Sequence, residues 1–81
     1  MLDVIKLSLR LTSDAYDKEI EFLIKAAEGD LLAAGIDVKD ILAEQAIILY
    51  VKGHFDFAGD GERYLKAYES LKTPLRLTSN V

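Results

Sequence analysis

Ile41–Phe55, ILAEQAIILYVKGHF, is the stretch whose reading decides the fold. Ile41, Leu42, Ala46, Ile47, Ile48, Leu49, Tyr50 and Val51 spread over more than one side of a helix. A helix that is apolar nearly all round is buried by its neighbours. The stretch is therefore expected to be a central helix, packed by the rest of the chain or by other copies of it. It does not read as a membrane span, which needs about 20 consecutive apolar residues; Glu44, Gln45 and Lys52 interrupt the run.

Immediately upstream, Ile36 to Lys39 reads as a tight link, with Asp37 the expected N-cap of the central helix and Asp40 in its first turn. The preceding segment shows Ile20, Leu23, Ile24, Ala27, Leu31 and Ala34 at three- and four-residue spacing, an amphipathic helix. Thr12-Ser13-Asp14 supplies its start signal, with Asp14, Asp17 and Glu19 where the helix dipole favours negative charge. Glu21 and Lys25 pair at i,i+4. Gly29 implies either a close helix crossing or a bend, and Gly35 sits where a left-handed C-cap is usual. At the N-terminus, Leu2–Leu11 fits a helical stripe or an alternating strand equally well; a short helix ending near Leu9 is favoured.

Downstream, the helix weakens at Gly53 and is expected to end near His54 or Phe55. Asp56–Gly61 has loop chemistry, two glycines and two aspartates. Asp60 is then placed to cap a last helix with Tyr64, Leu65, Tyr68 and Leu71 on one side and a Glu62–Lys66 pair. Pro74 is expected to end it, leaving a C-terminal tail from about 74 to 81 whose last four residues fray. The expectation is an all-α fold, one domain over residues 1–81. Its main helices are near Ser13–Ala34, Asp37–His54 and Asp60–Lys72, with a short N-terminal helix added. The pentapeptide Leu-Arg-Leu-Thr-Ser occurs at Leu9–Ser13 and again at Leu75–Ser79, but nothing around the two copies matches. Chance explains it better than a repeat architecture.

Composition narrows the function. A chain of 81 residues buries only roughly 60–65% of its unfolded surface. There is no cysteine and one histidine, so disulfides, Cys-based zinc sites and His-rich metal sites are excluded. A net charge of −4 argues against general binding to a nucleic-acid backbone. Met1 is followed by Asp3 and Lys6 with no apolar signal core, so synthesis in a cytoplasm is expected.

Asp56, Asp60 and Gly61 match positions one, five and six of an EF-hand, but Ala58 and Ala67 stand where ligands are needed, so calcium is not expected. His54 has no catalytic partner, and a helix C-terminus suits it structurally. The glycines form no phosphate loop. Asp14, Asp17, Glu19, Glu21 and Glu28 read as a solvated helix face. No catalytic, cofactor-binding or metal residue is assigned. The informative signal is a surplus of apolar side chains, 51% of the sequence, more than three short helices can hide. Phe22, Phe55, Phe57 and Leu75, left off the inner stripes, are the candidate oligomer or partner interface.

Lys6-Leu7-Ser8-Leu9-Arg10-Leu11, then Asp14 and Asp17, then Leu23-Ile24-Lys25-Ala26-Ala27 with Leu31 and Gly35-Ile36, follow one another in order. Ala46-Ile47-Ile48-Leu49-Tyr50-Val51 runs next into a loop and a last helix, Glu62-Arg63-Tyr64-Leu65 to Leu71. In order, spacing and length this resembles the small head–tail connector (head-completion or adaptor) proteins of tailed bacteriophages, over about Leu2 to Leu77. The family's loop after the central helix is shortened here. The resemblance implies a ring of identical subunits at the capsid vertex of the virion, joining portal to tail-proximal proteins. DNA would pass through its channel without sequence-specific binding. It implies no catalysis, no cofactor and no membrane. The rival reading is a small helical regulator or adaptor acting as a monomer or dimer.

Overall fold

A computed structural model describes residues 1–55 and 59–79, with side chains described as far as residue 77. Four α-helices follow one another: α1 Leu2–Leu9, α2 Asp17–Ala33, α3 Ile41–His54 and α4 Gly61–Ser79. No strand occurs among the described residues. The all-α expectation and the short N-terminal helix both hold.

α3 is central, as its composition requires: it packs against α1, α2 and α4. Ala43, Ala46, Ile47 and Val51 are buried on it, and Ile48, Leu49 and Tyr50 pack partly buried around them. The core is completed by Ile5 and Leu9 of α1, Ile20, Ile24, Ala27 and Leu31 of α2, Ile36 of the link, and Tyr68 and Leu75 of α4.

Three helix ends depart from expectation, each for a local reason. α2 begins at Asp17 rather than Ser13, because the Ser13 hydroxyl accepts from the Ala15 N–H at 3.1 Å and closes a turn instead of capping the helix. Lys6 of α1 fastens that turn, its ammonium 2.9 Å from both Asp14 Oδ1 and Asp17 Oδ1. α3 begins at Ile41 because Asp40, not Asp37, is its N-cap: Asp40 Oδ1 accepts from the Leu42 N–H at 2.9 Å. Asp37 makes the preceding turn, accepting from the Lys39 N–H at 2.9 Å. α4 runs through Pro74 to Ser79 rather than stopping near Lys72, so the expected tail is helical as far as Ser79. Proline removes one helical N–H and crowds the preceding turn. Pro74 and Ser70 both lie on the exposed side, where water can satisfy the carbonyl that loses its donor, while Leu75 is buried.

α2 closes as the sequence indicates. Gly35 is left-handed at φ 81°, and the Ile36 N–H donates back to the Leu31 carbonyl at 2.9 Å. α1 closes the same way on Arg10, φ 60°, with the Leu11 N–H donating to the Lys6 carbonyl at 2.9 Å.

Of the two readings of Gly29, a close crossing or a bend, the crossing does not hold; a close crossing lies at Gly53. A Cβ on Gly29 would meet nothing within 4 Å, whereas one on Gly53 would lie 2.5 Å from Leu65 Cγ and Cδ2 and 3.2 Å from the Gly61 carbonyl oxygen. Two opposite outcomes are expected in urea unfolding. Gly29→Ala stabilises by up to about 1 kcal/mol, the helix-propensity gain. Gly53→Ala destabilises by about 1–2 kcal/mol, because overpacking against α4 exceeds that same gain. Equal and favourable shifts at both positions would show that α3 and α4 do not cross closely at Gly53.

Candidate partner-binding surface

The four residues expected at an interface separate in the structure. Phe22 is on the outer side of α2, 71% exposed, opposite the buried Ile20–Ile24 side. Phe55 is half-buried and packs edge-on against Tyr16, ring centroids 5.9 Å apart and planes at 84°. Phe57 lies outside the described residues, as do Asp56 and Ala58 of the calcium-like loop. Leu75 corrects the expectation: it is 1% exposed and belongs to the core, because α4 continues past Pro74 and carries it onto the other helices.

Other apolar side chains take the surface. Leu7 of α1 is the most open, with Val4 and Met1 beside it on the same helical side. Leu32 of α2, Ile41 and Leu42 of α3 and Leu77 of α4 are also exposed. In all, nine large hydrophobic residues are exposed among the described residues. A signal for some of them was present in the sequence. On a helical α1, Val4 and Leu7 fall opposite Ile5 and Leu9. Composition shows that α3 is buried but not which sides of its first turn are covered: Ala43 is buried there while Ile41 and Leu42 stay exposed.

The polar side chains brought together hold helices in place. Asp30 of α2 accepts from the Tyr68 hydroxyl at 2.5 Å and from the Lys72 ammonium at 2.8 Å, both on α4. These bonds hold the Asp30 carboxyl below its ordinary range, Lys72 contributing most and Tyr68 next. They raise Lys72, while burial and then Asp30 push the Tyr68 phenol up. Tyr50 packs between Tyr68, at 5.1 Å, and the exposed His54, at 4.3 Å between ring centroids. At the other cluster, hydrogen bonds from Lys6 lower the Asp14 carboxyl, and Asp14 followed by Asp17 raises Lys6. Asp17 Oδ1 is shielded from solvent and meets the Lys6 ammonium without hydrogen-bond alignment. No group of three or more His, Cys, Asp or Glu suited to a metal ion occurs among the described residues. Among them no helix is long and apolar enough to cross a membrane.

The exposed apolar residues are thus distributed over all four helices, and the polar contacts described above hold helices and turns in place. A family model described as "Phage connector protein" matches residues 1–81, the full length of the sequence. No curated protein and no solved structure matches the chain.

Proposed function

The chain belongs to the phage connector protein family, and on that premise we propose that it is a head–tail connector working as a closed ring of identical copies between portal and tail. The observation that carries the ring is the exposed apolar surface. Nine large hydrophobic residues among the described ones stand open on a body of only 40 × 22 × 17 Å. Apolar surface left open on so small a body is surface for partners. Contacts between different faces of successive subunits close into rings when the rotation fits. The net charge of −4 suits a channel wall, because DNA that has to slide must not be held by its phosphates. The role is assembly within the virion and needs no chemistry.

Sedimentation and native mass spectrometry of the purified protein test the ring. A single large closed species, of fixed copy number as concentration rises, is the expected result. A monomer or a stable dimer at high concentration would instead support a small helical regulator. Calorimetric titration with Ca2+, Mg2+, Zn2+ or ATP is expected to give no binding heat; micromolar binding of any of them would require a second role.

A further inference from the structure

We propose that α1 is a detachable strap: it lifts from the bundle as a unit while α2, α3 and α4 stay folded, and the clamp of Lys6 on Asp14 and Asp17 sets how often it does so. The inference is independent of the ring reading, because it concerns how one copy holds its own first helix.

α1 is the helix with least to hold it. An isolated helix shorter than about 12–15 residues is marginal in water, and α1 has 8 residues. Its helicity therefore depends on docking against α2 and α3. Docking buries two of its residues, Ile5 and Leu9, against four on α2 and five on α3. α4 is longer, at 19 residues, and is tied to α2 through Asp30. Val4 and Leu7, on the outer side of α1, are exposed, so no second layer of the described chain covers it. Regions with few buried contacts open locally, at a free energy well below that of global unfolding.

One side chain carries the polar fastening. The Lys6 ammonium lies 2.9 Å from Asp14 Oδ1 and from Asp17 Oδ1, and its side chain is only 14% exposed. Asp17 Oδ1 is shielded from solvent and has no hydrogen-bond partner, so the Lys6 ammonium is its counter-charge. Withdrawing that ammonium leaves a shielded carboxylate oxygen uncompensated, which costs more than the loss of an exposed pair. The helix closes on Arg10 at φ 60°, the one non-glycine residue with positive φ among the described residues. A left-handed backbone is unfavourable for a residue with a Cβ, and it is relieved when α1 unwinds. Lys6 therefore opposes opening and Arg10 favours it. Opening also puts Ile5 and Leu9 into water, which returns the strap to its seat.

Native-state hydrogen exchange of the full chain, read by amide NMR at low urea concentrations, tests the strap. The Ile5 and Leu11 amides, which donate to the Met1 and Lys6 carbonyls, report on α1. The amides of buried Ile47 and Val51 report on the centre of α3. In wild type the α1 pair should be protected, yet open at least about tenfold more often than the α3 pair. Its exchange should depend little on urea, since lifting one short helix exposes little surface. Lys6→Met keeps the aliphatic stem and removes the charge; it should speed α1 exchange about tenfold. Arg10→Gly, which relieves the left-handed strain, should slow it about threefold. Raising the salt to 1 M, where the Debye length is about 3 Å, should speed α1 exchange in wild type and leave it unchanged in Lys6→Met. Exchange of both pairs at one rate with one urea dependence would show that α1 belongs to the cooperative core, and unprotected α1 amides would show that it is not docked at all; either overturns the proposal. So does unchanged α1 exchange in Lys6→Met, because the clamp would then not be what holds the strap.

Discussion

Leu75→Ala is expected to lower the unfolding free energy by about 2–5 kcal/mol, the cost of removing a buried leucine and leaving a cavity. Leu77→Ala, two residues further along the same helix, should change it by less than about 0.5 kcal/mol, as is usual at exposed positions. A domain of this size has about 4–12 kcal/mol of stability to lose. The first variant should therefore move the urea midpoint strongly, and the second should leave it in place. The contrast follows from the structure beyond Pro74. Leu75 is 1% exposed and Leu77 is open, on one continuous helix. If residues 74–79 were a frayed tail, both substitutions would be nearly silent.

Asp30→Ala is expected to cost about 2–4 kcal/mol, more than removal of a half-exposed aspartate would ordinarily cost. The loss falls on its partners. Tyr68 is 1% exposed, and its hydroxyl would be left without an acceptor, a cost of about 1–3 kcal/mol by itself. Lys72 would also lose the carboxylate 2.8 Å away. Tyr68→Phe removes the donor together with its need for an acceptor, so it should cost only about 0.5–1.5 kcal/mol. The double variant should cost less than the two single effects added, because both act on one hydrogen bond. The pH dependence has a fixed sign. Lys72 and Tyr68 lower the Asp30 carboxyl in the folded chain. The group therefore contributes fully above the unfolded pKa of about 3.9, and the contribution is lost as pH falls through the lower folded value. Asp30→Asn should flatten that part of the acid limb and leave stability above about pH 5 lower but no steeper. An unchanged acid limb in Asp30→Asn would show that this carboxylate does not couple α2 to α4.

Residue pattern alone determined much of this protein. The apolar run from Ile41 to Val51 identified the central helix, because so many large apolar residues leave no side for water. The Ile20–Ile24–Ala27–Leu31 spacing identified the buried stripe of α2, and Gly35 marked its end, because a left-handed cap favours a residue without a Cβ. The order of these segments also carried the resemblance to the connector family. Tertiary structure decided the rest. Asp30, Tyr68 and Lys72 lie 38 and 42 positions apart, and no local pattern announces that they meet. Of the candidate interface residues, Phe22 is open and Leu75 is core, a difference that depends on whether α4 survives its proline. The repeated pentapeptide shows the reason. Leu9–Ser13 leaves a helix, with Arg10 left-handed and the chain turning toward α2. Leu75–Ser79, the same five residues, stays helical throughout. Both first leucines are buried, so the local chemistry is the same at each. What differs is how the chain is held on either side of each copy. Lys6 draws the chain after Leu9 into a turn through Asp14 and Asp17, while Tyr68 and Lys72 fasten α4 to Asp30 before Leu75.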